Sequence, residues 1–428
     1  MSAEKNESEF IRSKTYFKYM IFILIFVEIL DTYTTNYPNV IPSQVISEFL
    51  RDYPENIAQS IFAIVIGIAT IGMYFVFLNQ YLADRVGRKL ILGFTVFGMA
   101  LSSFLILLST NIIQYTIFLF MLYIFFSSDI WVIYINEESP PEKRAFWTNI
   151  VLIGGVAGAI LIPIFRSIFI TETFSYWRGM TLFAIFLGIP LALIIFFTFK
   201  ESSKYEQIKE GKLKEKKTPN LFKDNMRSLF KSSRRKEFII ILIMSFVGGL
   251  NYIFIALGES FVSSSPNLTQ NDINIIVLVM SLAAIAGYLI TGIFADKLGR
   301  KPFLYIYSIL LPISILIAVL GSYMTEGALL YVCIGAGLGS LAYWGLRIVI
   351  SIVTLEIIPT EARGTGNGLK SLIAAIGITG GLLLSSIIIF YYGLGFAFIL
   401  YSLLLLIDVP LIYLYIKETK GIDLSEIQ

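Results

Sequence analysis

Polar and ionisable side chains interrupt the long apolar stretches of this sequence, and these residues could carry its chemistry. They are Glu28, Asp31, Thr35, Asp129, Asn251, Tyr252, Trp344 and Arg347. Moving a charge out of water is costly unless the group is paired, neutralised or used, so each is a candidate for a functional role. Carboxylates with raised pKa values could load and release protons, whereas the arginine, amide and aromatic groups could hold a polar small molecule.

Glu28 and Asp31 are three residues apart, so a helix would place them on one face together with Thr35. The sequence contains no histidine, so any side chain that binds and releases protons near neutral pH must be a carboxylate. Arg347 has two interpretations that the sequence leaves open. It either neutralises Glu28, Asp31 or Asp129, or it grips an anionic ligand with its planar guanidinium.

Two charged strings occur twice. Asp84-Arg85-Val86-Gly87-Arg88-Lys89 is echoed 212 residues later by Asp296-Lys297-Leu298-Gly299-Arg300-Lys301. Glu137 and Arg144, spaced around Pro140, are echoed 219 residues later by Glu356 and Arg363 around Pro359. The similar offsets indicate a duplicated unit. Acids and bases at such turns can pair in one conformation and separate in another, so we expect these residues to form a gate.

The elements that carry these residues are predicted to be membrane-spanning helices. Hydrophobic residues make up 56% of the 428 and charged residues only 15%, and the mean hydropathy is +0.78. Stretches of about 20 apolar residues match the thickness of a bilayer core. We predict twelve spans, near 17–36, 57–82, 90–109, 114–136, 147–170, 179–199, 238–262, 273–295, 303–323, 328–357, 368–391 and 395–416.

The duplication divides the chain into two six-helix halves, residues 1–199 and 238–428, joined by a linker at 200–237. The segment from Lys200 to Lys236 holds thirteen Lys and Arg against five Asp and Glu. The basic loops all fall on one side of twelve spans, so the positive-inside rule predicts a multi-pass protein of the cell membrane with both termini in the cytoplasm. The same topology explains the basic residues of the linker, so we do not expect nucleic-acid binding. The linker's apolar and basic residues recur at helical spacing, which suits a short helix that binds membrane lipids.

These repeated strings resemble those of the major facilitator superfamily. The family's Gly-x-x-x-Asp-Arg-x-Gly-Arg-Arg/Lys motif is complete in the second half, where Gly292 leads it, while Gln80 replaces that glycine in the first half. The family uses the small residue for close helix packing. The resemblance implies the all-α major facilitator fold, in which spans one, four, seven and ten line a central cavity. It also favours Asp31 as the proton carrier, because proton-coupled members carry an Asp in this part of span one.

Finer features are similar to the sugar porter branch. Lys417-Glu418-Thr419-Lys420-Gly421 resembles that branch's Pro-Glu-Thr-Lys-Gly ending, and Tyr134 with Glu137 and Pro140 matches the end of its fourth span. Glu201-Ser202 is a remnant of its Pro-Glu-Ser-Pro-Arg string. The resemblance adds Glu418 to the gating residues.

We therefore expect a monomeric secondary transporter that moves a sugar or polyol by proton-coupled alternating access. One alternative is an organic acid or phosphate held by Arg347; another, from a different class, is a nutrient sensor that does not transport. The sequence shows no nucleotide-binding loop, metal cluster or nucleophile triad, so we expect neither an enzyme nor a cofactor or metal site. The expected partners are a small solute, protons and membrane lipids.

Overall fold

The computed structural model describes residues 13–125, 130–140, 143–209, 221–359 and 362–421. The first part of the chain forms ten helices. They are α1 Lys14–Asn36, α2 Pro42–Phe49, α3 Glu55–Thr70, α4 Val76–Val86, α5 Arg88–Leu107, α6 Ile112–Ile124, α7 Ile130–Glu138, α8 Arg144–Phe169, α9 Gly179–Thr198 and α10 Ser203–Lys209.

Nine further helices follow. They are α11 Leu221–Lys231, α12 Arg235–Leu250, α13 Tyr252–Ser263, α14 Gln270–Leu298, α15 Arg300–Ser322, α16 Ala328–Ile357, α17 Arg363–Tyr392, α18 Leu394–Leu404 and α19 Asp408–Tyr415. Short 3-10 segments cover Tyr37–Val40, Ile71–Phe75 and Leu405–Ile407.

Ten helical stretches of the described ranges are long and apolar enough to cross a bilayer. They are Glu55–Phe75, Arg88–Leu107, Phe146–Phe169, Gly179–Thr198, Arg235–Ser263, Gln270–Leu298, Arg300–Ser322, Ala328–Ile357, Arg363–Tyr392 and Leu394–Tyr415. The first predicted span corresponds to the 23-residue α1. The fourth corresponds to α6 and α7, which flank residues 126–129, and those four lie outside the described residues. The all-helical prediction is confirmed.

Spans two, seven and twelve are each divided. Span two passes through a 3-10 turn between α3 and α4, and span twelve through one between α18 and α19. Span seven breaks at Asn251, whose side-chain amide donates to the carbonyls of Val247 at 3.0 Å and Tyr401 at 3.1 Å. The second bond ties the break to α18, so the amide fixes the point at which α12 gives way to α13.

The helices form two compact units. Unit 1 comprises the described residues of 1–37, 71–165 and 178–217, and unit 2 those of 38–70, 166–177 and 218–428. In unit 1, α5 packs against α9 and α6, and α9 also contacts α1. In unit 2, α16 packs against α14 and α15, while α17 packs against α12 and α3. These units differ from the two predicted halves, 1–199 and 238–428, and their linker at 200–237. The predicted halves describe a repeat in the sequence, and that division stays a prediction.

Candidate functional site

A pocket in unit 2 lies among α12, α15, α16 and α17. Its described lining is Ser245, Gly248, Gly249, Leu311, Tyr343, Leu346, Arg347, Ile350, Ser351, Lys370, Ser371, Ala374 and Ile378. Two of these residues are cations, and three are serines that can donate or accept hydrogen bonds. No Asp or Glu belongs to the described lining. The pocket is therefore positively charged and lined with hydroxyl groups on an otherwise apolar wall.

Arg347 is held in this pocket by aromatic rings. It lies ten residues before the end of α16, about 15 Å along the helix axis. Its guanidinium carbon is 5.4 Å from the centre of the Trp344 ring and 5.9 Å from that of Tyr343. Its Nη1 donates to the Tyr343 hydroxyl at 3.5 Å. These aromatic contacts orient the guanidinium without neutralising its charge.

Lys370 is a pocket residue that the sequence analysis missed. Its side chain is only 9% exposed, and its ammonium donates to the Ser351 hydroxyl at 2.7 Å. The same hydroxyl donates to the Arg347 carbonyl at 2.9 Å, so Ser351 joins the two cationic residues. A lysine seven residues inside the apolar α17 was a signal that sequence reasoning could have used.

Asn251, Tyr252 and Trp344 surround the pocket without lining it. Asn251 is 1% exposed and serves the helix break described above. Tyr252 exchanges hydrogen bonds with Asn39 at 3.1 and 3.2 Å, and its ring lies 6.3 Å from that of Tyr343. Trp344 stacks on Tyr288 at 5.7 Å. These three side chains therefore support neighbouring groups in this structure.

The acids of span one lie in unit 1. Glu28 is 8% and Asp31 7% exposed, and Thr32 donates to the Glu28 carboxylate at 3.5 Å. The Thr35 hydroxyl donates to the Asp31 carbonyl at 2.8 Å and is therefore used within its own helix. Asp129, the remaining predicted acid, lies outside the described residues. The proton-carrying role of Asp31 stays a prediction.

The second copy of the repeated motifs forms a dense charge network. Arg300 binds Glu356 with Nε at 3.0 Å and Nη2 at 2.7 Å, and it also contacts Asp296 at 2.8 Å. Glu356 in turn accepts a hydrogen bond from Thr419 at 2.5 Å. Glu418 accepts backbone N–H groups from Arg300 at 2.8 Å and from Lys301 at 3.1 Å. In this copy Glu356, the acid of the Glu-Pro-Arg string, thus pairs with Arg300, an arginine of the Asp-Gly-Arg string.

The first copy repeats this arrangement with fewer bonds. Arg88 contacts Glu137 at 3.3 Å, and both side chains are 7% exposed. Glu201 accepts the backbone N–H groups of Arg88 at 2.8 Å and Lys89 at 3.1 Å, the place that Glu418 takes in the second copy. Glu201 is a gating candidate that the sequence analysis noted only as a motif remnant.

The other predicted gating residues form fewer described hydrogen bonds and ion pairs. The guanidinium of Arg85 lies 4.7 Å from the Tyr81 ring, and Arg144 donates to the Ser139 carbonyl at 3.4 Å. Lys297 is exposed. Arg363 has buried Nε and Nη2 atoms without a partner in the described part of the chain, so neither Arg144 nor Arg363 pairs there with the acid of its own string. For Asp84 only the backbone is described.

The glycines of the first motif are set by their backbone angles. Gly299 has φ +101° and ψ +164°, and Gly87 has φ +121° and ψ +145°. Side chains are strongly disfavoured there. A Cβ at Gly299 would also meet the Glu418 carboxylate carbon at 2.8 Å. Gly292 differs, because a Cβ there would meet no atom within 4 Å; the expected close packing at Gly292 is absent from the described contacts.

A second buried charge cluster was missed entirely by the sequence analysis. Arg166 of α8 and Glu259 of α13 pair at 2.6 Å with side chains 0% and 1% exposed. Both residues lie inside predicted spans. Because an unpaired charge is costly in a span, their positions could have marked them as candidates from the sequence. The pair lies at the end of span seven opposite to Arg235.

Comparisons with known proteins identify the family. The model of the Major Facilitator Superfamily matches residues 19–264 and 239–425. A proposed niacin/nicotinamide transporter, NiaP of Bacillus subtilis (strain 168), is 25% identical over 366 residues, covering 82% of this chain and 84% of that protein. The sialic acid transporter NanX of Escherichia coli (strain K12) is 23% identical, covering 73% and 74%.

Among solved structures, a D-xylose-proton symporter superposes with a TM-score of 0.77 at 14% identity, covering 95% of this chain and 99% of the symporter. That likeness shows the fold. The family model spans both halves of the chain and includes the gating strings and the pocket residues. The chain is therefore a multi-pass membrane transporter and not an enzyme, and it belongs to the Major Facilitator Superfamily.

Proposed function

We propose that this transporter carries a small organic anion, with a carboxylate as the recognised group. The observation that carries the proposal is the pocket lining, in which Arg347 and Lys370 stand together without an acid among the described residues. A neutral solute requires no cation, whereas a carboxylate forms charge-assisted hydrogen bonds with arginine and lysine. The described lining presents both cation types to one pocket.

The two cations would play different parts. The Arg347 guanidinium presents a planar fork that matches a carboxylate, and the rings of Tyr343 and Trp344 hold its plane. Lys370 adds a compact charge, and the Ser351 hydroxyl fixes its position at 2.7 Å. The apolar wall formed by Leu346, Ile350 and Ile378 suits the carbon skeleton of the solute.

Relatives support this class of solute. The names of two relatives include carboxylic acids that are ionised at neutral pH: niacin, which is named together with the neutral nicotinamide, and sialic acid. In this chain the same chemistry would meet Arg347 and Lys370. The proposal therefore names the class, a monocarboxylate with a ring or short carbon skeleton.

A sugar or polyol is the second candidate. The motifs of the sugar porter branch and the aromatic residues Tyr252, Tyr343 and Trp344 near the pocket favour it, because aromatic faces pack against sugar rings. The serine hydroxyls of the pocket would serve such a solute equally well. The pair of cations is the feature that a neutral sugar leaves unused.

The transport cycle proposed here is alternating access coupled to protons. Asp31, buried in span one of a histidine-free chain, is the proposed proton carrier. A proton that enters with a carboxylate would offset the charge moved across the membrane. The proposed topology places both termini and the repeated gating strings in the cytoplasm, and the transporter works as a monomer.

The test compares nicotinate with nicotinamide, which share a ring and differ in charge. In proteoliposomes loaded with each compound, we expect counterflow with nicotinate and little with nicotinamide or xylose. Lys370→Met and Arg347→Lys should each weaken nicotinate binding about 10- to 100-fold, the range for a lost charge-assisted hydrogen bond. Lys223→Met and Arg227→Lys, at exposed positions on α11, are the matched controls. Equal transport of nicotinamide, or xylose transport that survives both pocket changes, would overturn the anion proposal.

A further inference from the structure

The Arg166–Glu259 pair lies at the centre of a buried cluster in unit 2. Arg166 donates from Nε to the Val40 carbonyl at 2.7 Å, from Nη1 to the Asn274 side-chain oxygen, and from Nη2 to Glu259 at 2.6 Å. Glu259 also accepts the Ser43 backbone N–H at 2.9 Å and the Ser43 hydroxyl at 2.7 Å. We name these five residues the Arg166 cluster.

The cluster joins four separate segments. Arg166 lies in the last turn of α8, Ser43 in the first turn of α2, Glu259 in α13 and Asn274 in the second turn of α14. Each contributes a polar group near a helix end, and the hydrogen bonds satisfy both charges. Segments that are 93 and 216 residues apart in sequence are thereby held by one ion pair.

We infer that the Arg166–Glu259 ion pair is a releasable latch, which closes the end of the transporter opposite to the repeated gating strings. A transporter of this family must open each end in turn, so polar contacts that seal one end have to break and reform. A charged pair suits this task better than apolar packing, because water can solvate both groups once the segments part. The inference rests on the alternating-access part of the proposed function and is independent of the solute.

A chain of side-chain contacts connects the latch to the pocket. The Arg347 guanidinium touches the Tyr343 hydroxyl, and the Tyr343 ring lies 6.3 Å from Tyr252. The Tyr252 hydroxyl bonds Asn39, which precedes the Val40 carbonyl held by Arg166. Tyr252 and Glu259 belong to the same half-helix, α13, about 10 Å apart along its axis. Movement of α13 at the Asn251 break would therefore reach both sites.

The experiment uses a buried reporter beside the latch. Val45 of α2 is 0% exposed, and Val45→Cys in a Cys333→Ser background gives a single thiol. We expect Arg166→Gln and Glu259→Gln each to raise its labelling by a membrane-impermeant maleimide at least about tenfold, as expected when one partner of a buried ion pair is removed. Arg51→Gln is the control, because Arg51 forms an exposed ion pair with Asp52 at 3.7 Å, and labelling should not change.

A second reporter separates opening from loss of the fold. Leu229 of α11 is 1% exposed and lies near Gly366 of α17, so Leu229→Cys reacts only when that packing loosens. Labelling of Val45→Cys alone supports the latch, and no increase at Val45→Cys overturns it. If both reporters react in both charge variants, Asn274→Ala decides, because it weakens the hold on Arg166 by one hydrogen bond and leaves no buried charge unpaired. That variant must raise labelling at Val45→Cys alone, or the latch is refuted.

Discussion

Gly299→Ala offers a direct test of the charged turn Asp296–Lys301, the second copy of the first gating string. Gly299 ends α14, starts α15 and has φ +101° with ψ +164°, a region that only glycine occupies readily. The new methyl group would meet the Glu418 carboxylate, whose carbon would be 2.8 Å away. The substitution therefore strains the backbone and displaces the acid that holds this turn.

The magnitude follows from these two effects. A non-glycine residue in such a conformation costs roughly 1–3 kcal/mol. Glu418 accepts the backbone N–H groups of Arg300, Lys301, Thr419 and Lys420 at 2.8 to 3.1 Å. Because its side chain is exposed, loosening these bonds adds only about 1 kcal/mol. We expect a loss of about 2–4 kcal/mol in the free energy of unfolding, together with slower transport.

Gly292→Ala in the same helix is the matched control. A Cβ there meets no atom within 4 Å, so alanine should leave stability unchanged or raise it by up to about 1 kcal/mol. The assay is the unfolding midpoint of both purified variants in the same detergent, followed by counterflow rates in proteoliposomes. Equal midpoints and equal rates for the two variants would refute the role assigned to Gly299 and Glu418.

Three further predictions address acidic residues. Desolvation alone would raise the pKa of the Glu418 side chain, but four backbone N–H bonds hold that pKa below its usual range. Its contribution to stability is complete above about pH 4.3 and is lost as the pH falls through the lower folded pKa, so Glu418→Gln should flatten the acid side of a melting-temperature profile. Asp408 is 0% exposed, and both carboxylate oxygens lack a hydrogen-bond partner among the described residues. Asp408→Asn should therefore change stability by less than about 1 kcal/mol or increase it, and a clear fall in melting temperature would contradict this expectation. Asp31→Asn should abolish solute accumulation driven by a pH gradient and leave solute exchange intact, and uphill uptake by this variant would remove Asp31 from the proton path.

The predicted gating residues illustrate how far local sequence can reach. The spacing of Asp296, Gly299 and Arg300 predicted a charged turn between two spans, and the structure places it there. The partner of Arg300 is Glu356, 56 residues away, and the string that contains Glu356 offered Arg363 as an equally plausible partner. Helical periodicity fixes which residues share a face, but it does not specify which helices are neighbours.

Lys370 and Arg166 are two residues whose partners the sequence could not identify. Each was visible as a cation inside an apolar segment, but its meaning depended on a partner from another helix. For Lys370 that partner is Ser351 of α16, and the pocket they share gives the chain two cations where the sequence analysis counted one. The described lining of that pocket contains no acid.

The sequence by itself determined the class of protein. The length and number of its apolar segments specified membrane helices, because backbone groups in lipid must be satisfied within each segment, and the repeated strings specified the family. Only the tertiary structure decided which partner each charge meets: Arg347 the Tyr343 hydroxyl, Lys370 the Ser351 hydroxyl, and Arg166 the Glu259 carboxylate. The physical reason is that a charge in a low-dielectric interior is stabilised by whatever lies within a few ångströms, and that neighbour is set by helix packing rather than by position along the chain.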